Sequence, residues 1–405
     1  MALSATAPLR CGGVMLVALM ATIVPRTLAA RMGESMMHAQ VDTTTLIADT
    51  RRPPSRPSDN LPRSFRLQPY GSDANFNPAS VLVNRGLDIW QLDQYSPSLV
   101  RFPYEESARS VWRTLTHPRE GIDEYGFWSF MREQILPLDF TAGQPAWLAN
   151  YALHFFQGGV TYVRLEGWFM DRHVPLPKVW SGATVLAAAY LTEMAEAGYE
   201  PAGARAFADL VVFDVGGVLV FSIPWVRNTL GNGLRMMDWS LQPVFTPHGE
   251  VYNQGDYITF KLGLPLVRRV DFLARVGMGA WFGLSFNKGQ TDAISFAVGR
   301  ATLSKHLDET AQREFITMGI AGGVFYDRNG SLLAALESGM GERLVSLNIY
   351  PNVLPGPFRN MGLWLSLDRQ LRPRLGLTLR ALGMGIGLAP QGPTKYDAQQ
   401  ERLGR

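Results

Sequence analysis

The strongest constraint on the fold is a C-terminal block, roughly Met236 to Leu388, in which apolar and polar residues alternate. Between Phe272 and Phe286 every second residue is apolar, and the residues between them include Arg275 and several glycines. Because successive side chains of a strand point to opposite faces, the pattern predicts strands with one apolar and one polar or small face. Several of these segments exceed the roughly 9–11 residues that a tilted strand needs to cross a bilayer. The block therefore predicts a membrane β-barrel.

Turn residues such as Asn287-Lys288-Gly289 divide the block into segments. The segments are 236–247, 251–266, 270–287, 293–306, 313–327, 331–339, 343–351, 359–369 and 373–388. Nine is odd, whereas single-chain bacterial barrels have an even number of strands, so we expect about 8–10 antiparallel strands. The last segment changes face near Arg380, which predicts a bulge at that point.

Composition agrees with a barrel and argues against other classes. Charged residues make up 18% of the chain and 40 of its 405 residues are glycine, as suits a barrel with a glycine-rich interior. The net charge is +3, and lysines and arginines do not cluster among aromatic residues, so nucleic acid is not an expected partner. The single cysteine, Cys11, lies in the predicted leader, so we expect no disulfide or thiolate chemistry in the mature chain.

The rest of the chain predicts a leader, a linker and a tail around two larger parts. Residues 1–30 are typical of a signal peptide, because Arg10 precedes the apolar run 13–24 and a small-x-Ala cleavage site follows. Residues 31–75 are polar and rich in proline and arginine, which predicts a disordered linker. Residues 391–405 form a polar tail after the barrel block, which extends over 236–390.

Residues 76–235 predict a helical module of about five helices, so the chain as a whole is expected to be α+β. Two helices are predicted within 104–136, broken at Pro118 because proline cannot continue a helix. Three more are predicted near 147–169, 178–197 and 204–221. The segment 76–100 leaves two possibilities open, a strand or an irregular docking segment.

Four polar residues interrupt the apolar helices: His154, Glu193, Asp209 and Asp214. An ionised group in an apolar interior costs several kcal/mol unless it is paired, so such residues are usually partnered, metal-bound or functional. Asp209 and Asp214 are five residues apart and diverge by roughly 140° around an ideal helix. They can point at one site only if that helix is distorted.

Three hypotheses account for these residues if they are buried, and the remaining possibility is that some of the four simply face water. The first is a buried hydrogen-bonded pair of His154 with an acid that fixes helix packing. The second is a catalytic or ligand site, in which His154 is a general base oriented by a carboxylate. The third is a metal site with one histidine and two or three carboxylates. We take all four residues as candidate catalytic residues, assign no metal, and leave the cofactor unknown.

Four further residues are expected to serve helix packing. Asn150 and Gly158 are each four residues from His154 and share its face in an ideal helix, where the glycine allows a second helix to approach closely. Gly216 and Gly217 follow Asp214 and allow tight packing or a kink.

The order of these residues resembles the VanZ-like helical module and related envelope families of unknown function. The matching residues are His154-Phe155, Glu193, Asp209-Leu210 with Asp214, and Gly217. Those families usually begin Asp-Lys-x-x-His, whereas this chain has Asn150-Tyr151 at the leading positions. The resemblance covers about 70 residues and implies no settled reaction. The layout of leader, helices and barrel is also similar to uncharacterised outer-membrane proteins of diderm bacteria.

These patterns predict an exported outer-membrane β-barrel with a helical plug or brace. Its expected role is envelope structure or passage of a small or lipidic solute, and its expected partners are the lipid bilayer and the barrel-insertion machinery. The alternative is a lipid- or glycolipid-modifying outer-membrane enzyme that uses the buried His/carboxylate site. The sequence leaves open whether the protein is an enzyme.

Overall fold

The chain is α+β, with helices in the N-terminal half and one large sheet in the C-terminal half. A computed structural model describes residues 56–92, 98–136, 148–199, 202–265, 267–308, 313–341 and 343–390. The predicted signal peptide, the first part of the linker and the polar tail lie outside the described residues. From Pro57 onward the helices and the sheet belong to one compact unit.

The predicted helices are present, with additional short ones. The α-helices are α1 Pro78–Gly86, α2 Tyr104–Thr116, α3 Pro118–Tyr125, α4 Phe127–Phe130, α5 Gln157–Asp171, α6 Pro177–Ala197, α7 Ala204–Phe207, α8 Val215–Phe221 and α9 Pro224–Asn228. π-Helical segments extend or join them at Met131–Ile135, Leu148–Phe156, Ala208–Asp214 and Thr229–Gly233. The long helices around 148–171, 177–197 and 204–221 therefore begin and end within a few residues of their predicted bounds.

The end of the predicted linker is ordered by apolar anchors. Short 3₁₀ turns form at Pro57–Asn60, Arg63–Phe65 and Gly71–Asn75. Leu61 and Phe65 are buried, which gives this polar stretch enough apolar burial to order it. The disordered linker predicted for 31–75 is thus wrong from residue 57 onward.

The segment that the sequence left open forms helix α1. Asn77 caps its N-terminus by accepting a hydrogen bond from the Ser80 N–H, and the Ser80 hydroxyl accepts one from the Asn77 N–H. Pro78 occupies the first turn, where its missing N–H costs nothing. A further 3₁₀ turn, Asp88–Gln91, follows the helix.

The sheet has thirteen strands in the described residues. They are β1 Met237–Asp238, β2 Val244–Phe245, β3 Val251–Tyr252, β4 Ile258–Gly263, β5 Val270–Gly277, β6 Gly279–Lys288, β7 Asp292–Asp308, β8 Arg313–Arg328, β9 Ser331–Met340, β10 Arg343–Ile349, β11 Met361–Asp368, β12 Pro373–Leu379 and β13 Gly385–Leu388. Their order is β1-β4-β5-β6-β7-β8-β9-β10-β11-β12-β13-β2-β3, and the pairs are antiparallel except for β13 with β2.

The strand count exceeds the 8–10 that we predicted, because two tight turns and two interruptions are hidden in the alternation. The chain reverses at Met278, between Gly277 and Gly279, so one predicted strand is a hairpin of β5 and β6. It also reverses between β12 and β13, where the bulge predicted near Arg380 is instead a turn with Ala381 and Gly383 at positive φ. The first two predicted strands are each interrupted, giving β1 and β2, then β3 and β4.

One face of the sheet, the convex face, exposes large apolar side chains, whereas the other, the concave face, buries polar and apolar side chains together. Outward side chains such as Phe282, Val298 and Ile320 are 52%, 63% and 79% exposed. Alternate residues, such as Arg275 and Ser285, are buried on the concave face. That face is packed by a cluster drawn from many strands: Met237, Trp239, Leu241, Tyr257, Leu273, Trp281, Ala297, Ala301, Ala321, Phe325, Leu332, Ala335, Met340 and Tyr350.

The side chain of Asn84 joins helix α1 to the sheet by inserting between two extended segments. The Asn84 amide donates to the Leu241 carbonyl at 3.0 Å and accepts from the Gly255 N–H at 3.0 Å. On the next rung the Leu241 N–H donates to the Gly255 carbonyl at 2.9 Å. Asn84 thus takes the place of a ladder hydrogen bond and fixes the helical module against the sheet.

Among the described helices, none is by itself long and apolar enough to span a membrane. Ala204–Phe221 and Pro224–Gly233 meet that test only as a pair, with a bend of 83° between them.

Candidate functional site

The π-helical segment Ala208–Asp214 brings two distant acids to one place. Its i→i+5 hydrogen bonds widen the turn, so residues five apart lie closer to one face than in an α-helix. Asp209 and Asp214 both reach His154, which lies on a second π-helical segment, Leu148–Phe156. The distortion that the sequence required for convergence is therefore present.

His154 lies between these two carboxylates. Its Nδ1 is 2.9 Å from Asp214 Oδ2, and its Nε2 is 3.9 Å from Asp209 Oδ2. All three side chains are buried, Asp214 completely. The bond to Asp214 fixes the orientation of the imidazole ring, so that Nε2 faces Asp209.

Glu193 completes the group from helix α6. Ligand atoms of His154, Glu193 and Asp209 all lie within 4.8 Å of one another. All four residues singled out from the sequence therefore converge, although they come from three separate helical stretches.

Arg85 is the partner that sequence reasoning missed. Its guanidinium pairs with Asp214, lies 3.5 Å from Asp256 Oδ2, and donates to the Leu153 carbonyl at 2.9 Å. It lies in α1, two residues after the short apolar run Val81–Val83. A charge following such a run was the available signal, but the run was not recognised as a helix.

The local electrostatics raise three pKa values. Burial lowers the pKa of the His154 imidazole, but Asp209 and Asp214 outweigh it and raise the pKa to about 9. Burial, followed by the nearby Asp209 and Glu196, raises the pKa of Glu193 to about 8. Burial, followed by Asp256, raises the pKa of Asp88 to about 7. With its pKa at about 9, His154 is cationic at neutral pH, so it donates a proton more readily than it accepts one.

The expected packing residues lie close to this group. A Cβ on Gly158 would be 3.0 Å from Asp214 Oδ1, and one on Gly217 would be 2.4 Å from the Phe155 carbonyl oxygen. At Gly216 the nearest atom would be a Phe155 ring carbon, at 3.5 Å. Asn150 donates to the Gln134 carbonyl at 2.7 Å, so its amide ties two helical segments together.

A second set of buried charges lies on the concave face of the sheet. Arg275 Nη1 is 2.8 Å from Glu337 Oε1, with both side chains almost completely buried. The guanidinium also lies 3.8 Å from the centre of the Tyr257 ring and 4.9 Å from that of Trp281. Glu337 thus faces the inside of the sheet, where it balances a cation held among aromatic rings.

Comparison of the chain with family models, with curated proteins and with solved structures gave no match. The resemblance to the VanZ-like module stays a prediction that rests on its few matching residues.

Proposed function

We propose that this protein is an outer-membrane β-barrel that anchors its helical module to the bilayer. The observation that carries the proposal is the inverted sheet, with large apolar side chains exposed on the convex face and buried charges on the concave face. The water-facing side of a soluble sheet is mostly polar, because exposed apolar area is unfavourable in water. A barrel in lipid needs an outward apolar band.

The pairing at the two ends of the sheet supports closure into a ring. β1 and β2 are parts of one extended segment, 237–245, and β3 and β4 are parts of the next, 251–263. Between these parts, the Trp239 N–H donates to the Tyr257 carbonyl at 2.8 Å, which continues the ladder between the two segments. Closure also satisfies the backbone groups of edge strands, as a bilayer requires.

The number of strands is also consistent with closure of the sheet into a ring. If each interrupted segment counts as one strand, the thirteen strands become eleven. A ring with an odd number of strands cannot be antiparallel throughout and must contain one parallel pair. The pair β13 with β2 is parallel and lies where the ring would join.

The filled concave face favours an anchoring role over passage of a solute. Trp239, Trp281 and Phe325 are buried there beside Arg275. On the convex face, an apolar groove of about 810 Å³ between Phe282, Phe286 and Phe296 suits contact with acyl chains. We therefore assign the barrel to envelope structure and the helices to a brace.

Fractionation and heat treatment of the full chain test this proposal. Expressed in a diderm bacterium, the protein should remain in the outer-membrane fraction after washing with urea. In detergent it should show strong β circular dichroism, and unheated samples should migrate differently from boiled samples in SDS gels. Release by the wash together with identical migration would rule the proposal out.

A second candidate function is a lipid- or glycolipid-modifying enzyme. The convergence of His154, Glu193, Asp209 and Asp214 favours it, because buried groups with shifted pKa values are common in active sites. A general-base role would first require His154 to lose its proton. A folded His154→Ala protein that leaves the host's lipid profile unchanged would exclude this candidate.

A further inference from the structure

The proposed anchoring role does not use the nitrogen and oxygen atoms clustered at His154. These atoms are arranged like the ligands of a metal ion. One nitrogen of His154 and one oxygen each of Glu193 and Asp209 lie within 4.8 Å of one another. Around an ion with bonds of about 2.1 Å, neighbouring ligand atoms lie roughly 3.0–3.5 Å apart. Side-chain movements of about 1 Å would therefore bring the three groups onto one ion.

The burial of Glu193 is a second, independent observation that points to a bound ion. It is 3% exposed, and within the described part of the chain its carboxyl group has no hydrogen bond or ion pair. A buried carboxyl group without a partner is costly. An ion between Glu193, His154 and Asp209 would provide that partner.

The charges around these donors favour a cation. Two arginines, Arg85 and Arg205, lie against a larger set of carboxyl groups in this region: Asp88, Glu193, Glu196, Asp209, Asp214 and Asp256. Arg85 pairs with Asp214 and Asp256, and Arg205 pairs with Glu196 and, at 3.9 Å, with Asp209. The carboxyl groups outnumber these arginines together with His154, so a divalent ion would add positive charge to an acid-rich region.

The orientation of His154 matches that of a metal ligand. Its Nδ1 bonds to Asp214 at 2.9 Å, and its Nε2 lies 3.9 Å from Asp209 Oδ2. Metal-binding histidines commonly pair their second nitrogen with a carboxylate, which fixes the ring and raises its basicity. Asp214, held by Arg85, would be the positioning residue.

We propose that His154, Glu193 and Asp209 bind a divalent metal ion, Zn²⁺ or Mn²⁺, with Asp214 orienting the histidine. One imidazole with two carboxylates suits either ion, and three protein ligands leave coordination positions for water or a substrate oxygen. The site lies in the helical module, so this proposal stands whether or not the sheet crosses a membrane.

Calorimetric titration of the chelator-treated full chain in detergent, with ZnCl₂ and separately with MnCl₂, tests the site. One ion should bind per chain. Glu193→Gln and Asp209→Asn should each weaken binding by at least tenfold, and Asp214→Asn by roughly 10–100-fold. The matched control is Glu124→Gln, an exposed carboxylate on α3 whose loss should leave the affinity unchanged.

Two readouts separate binding from a folding defect. Helical circular dichroism should be unchanged in the isosteric Glu193→Gln protein. The electron paramagnetic resonance signal of free Mn²⁺ should fall equally on addition of wild-type or Glu124→Gln protein, and much less on addition of Glu193→Gln protein. Absence of saturable binding of either ion to the wild type would overturn the proposal. Equal binding by folded Glu193→Gln protein would overturn it as well.

Discussion

Glu193, Asp88 and His154 should together make the metal-free protein less stable as pH rises. The pKa of Glu193 is raised from 4.5 to about 8 and that of Asp88 from 3.8 to about 7, so the folded chain keeps protons that the unfolded chain releases. The pKa of His154 is raised from 6.5 to about 9, so its stabilising effect is complete below 6.5 and is lost as pH rises through 9. All three effects have the same sign, because the unfolded state binds fewer protons throughout.

Chemical denaturation in detergent with a chelator present, repeated from pH 5 to pH 10, measures this loss. We expect the free energy of unfolding to fall by an amount on the order of a few kcal/mol. Glu193→Gln should make the curve less steep below about pH 8 and retain the fall due to Asp88 and His154. Superimposable curves for wild type and variant would contradict the prediction.

Arg275 and Glu337 allow a second test at single residues. Glu337→Gln would leave the Arg275 charge buried without its partner at 2.8 Å, which should cost about 3–5 kcal/mol. The double variant Arg275→Met with Glu337→Leu removes both charges and should recover much of that loss. Denaturation of the three proteins measures both values. A single variant within about 1 kcal/mol of wild type would show that the pair does not hold the concave face together.

At the scale of elements, the two π-helical segments explain why the sequence could identify the site residues but could not predict how they meet. The four polar residues stand out because they interrupt apolar helices, and this is visible in the sequence alone. Their convergence depends on hydrogen-bond shifts within 148–156 and 208–214, which arise from packing and leave no pattern in the sequence. Arg85 was missed because its helix α1 has only nine residues and is stabilised by its cap and by Asn84.

Glycine contacts between these helices should decide whether the site assembles. Gly217→Ala would place a Cβ 2.4 Å from a backbone oxygen of Phe155, so a helix must move, at a cost of about 1–3 kcal/mol. Gly216→Ala is the matched control, because its Cβ would meet a ring carbon at 3.5 Å. Alanine is the better helix former, so this control should be neutral or more stable by up to about 1 kcal/mol.

Thermal unfolding followed by the helical circular dichroism signal compares the two alanine variants. Only Gly217→Ala should lower the midpoint. Equal midpoints for both would mean that the helices are not in close contact at Gly217.

At the scale of the whole molecule, the alternation predicted the faces of the sheet better than the path of the chain. It identified which residues share a side, because in a strand every second side chain lies on the same face. It could not locate the turn at Met278, since a hairpin of one residue between two glycines preserves the alternation. The parallel pair of β13 with β2 depends on contacts between chain segments about 140 residues apart, which no local pattern encodes.

The apolar convex face leads to the last prediction. Val298 lies in β7 and is 63% exposed, whereas Val100 lies near the start of the helical module and is 72% exposed. In water an arginine at either position would be tolerated, since neither side chain is packed in a core. In the proposed barrel Val298→Arg places a charge in lipid, at a cost of about 2–4 kcal/mol near the bilayer midplane. The yield of folded, heat-shifted protein in the outer membrane should therefore fall for Val298→Arg and stay near the wild-type level for Val100→Arg. If the two variants insert equally well, the convex face of β7 does not contact lipid, and another apolar partner must cover it.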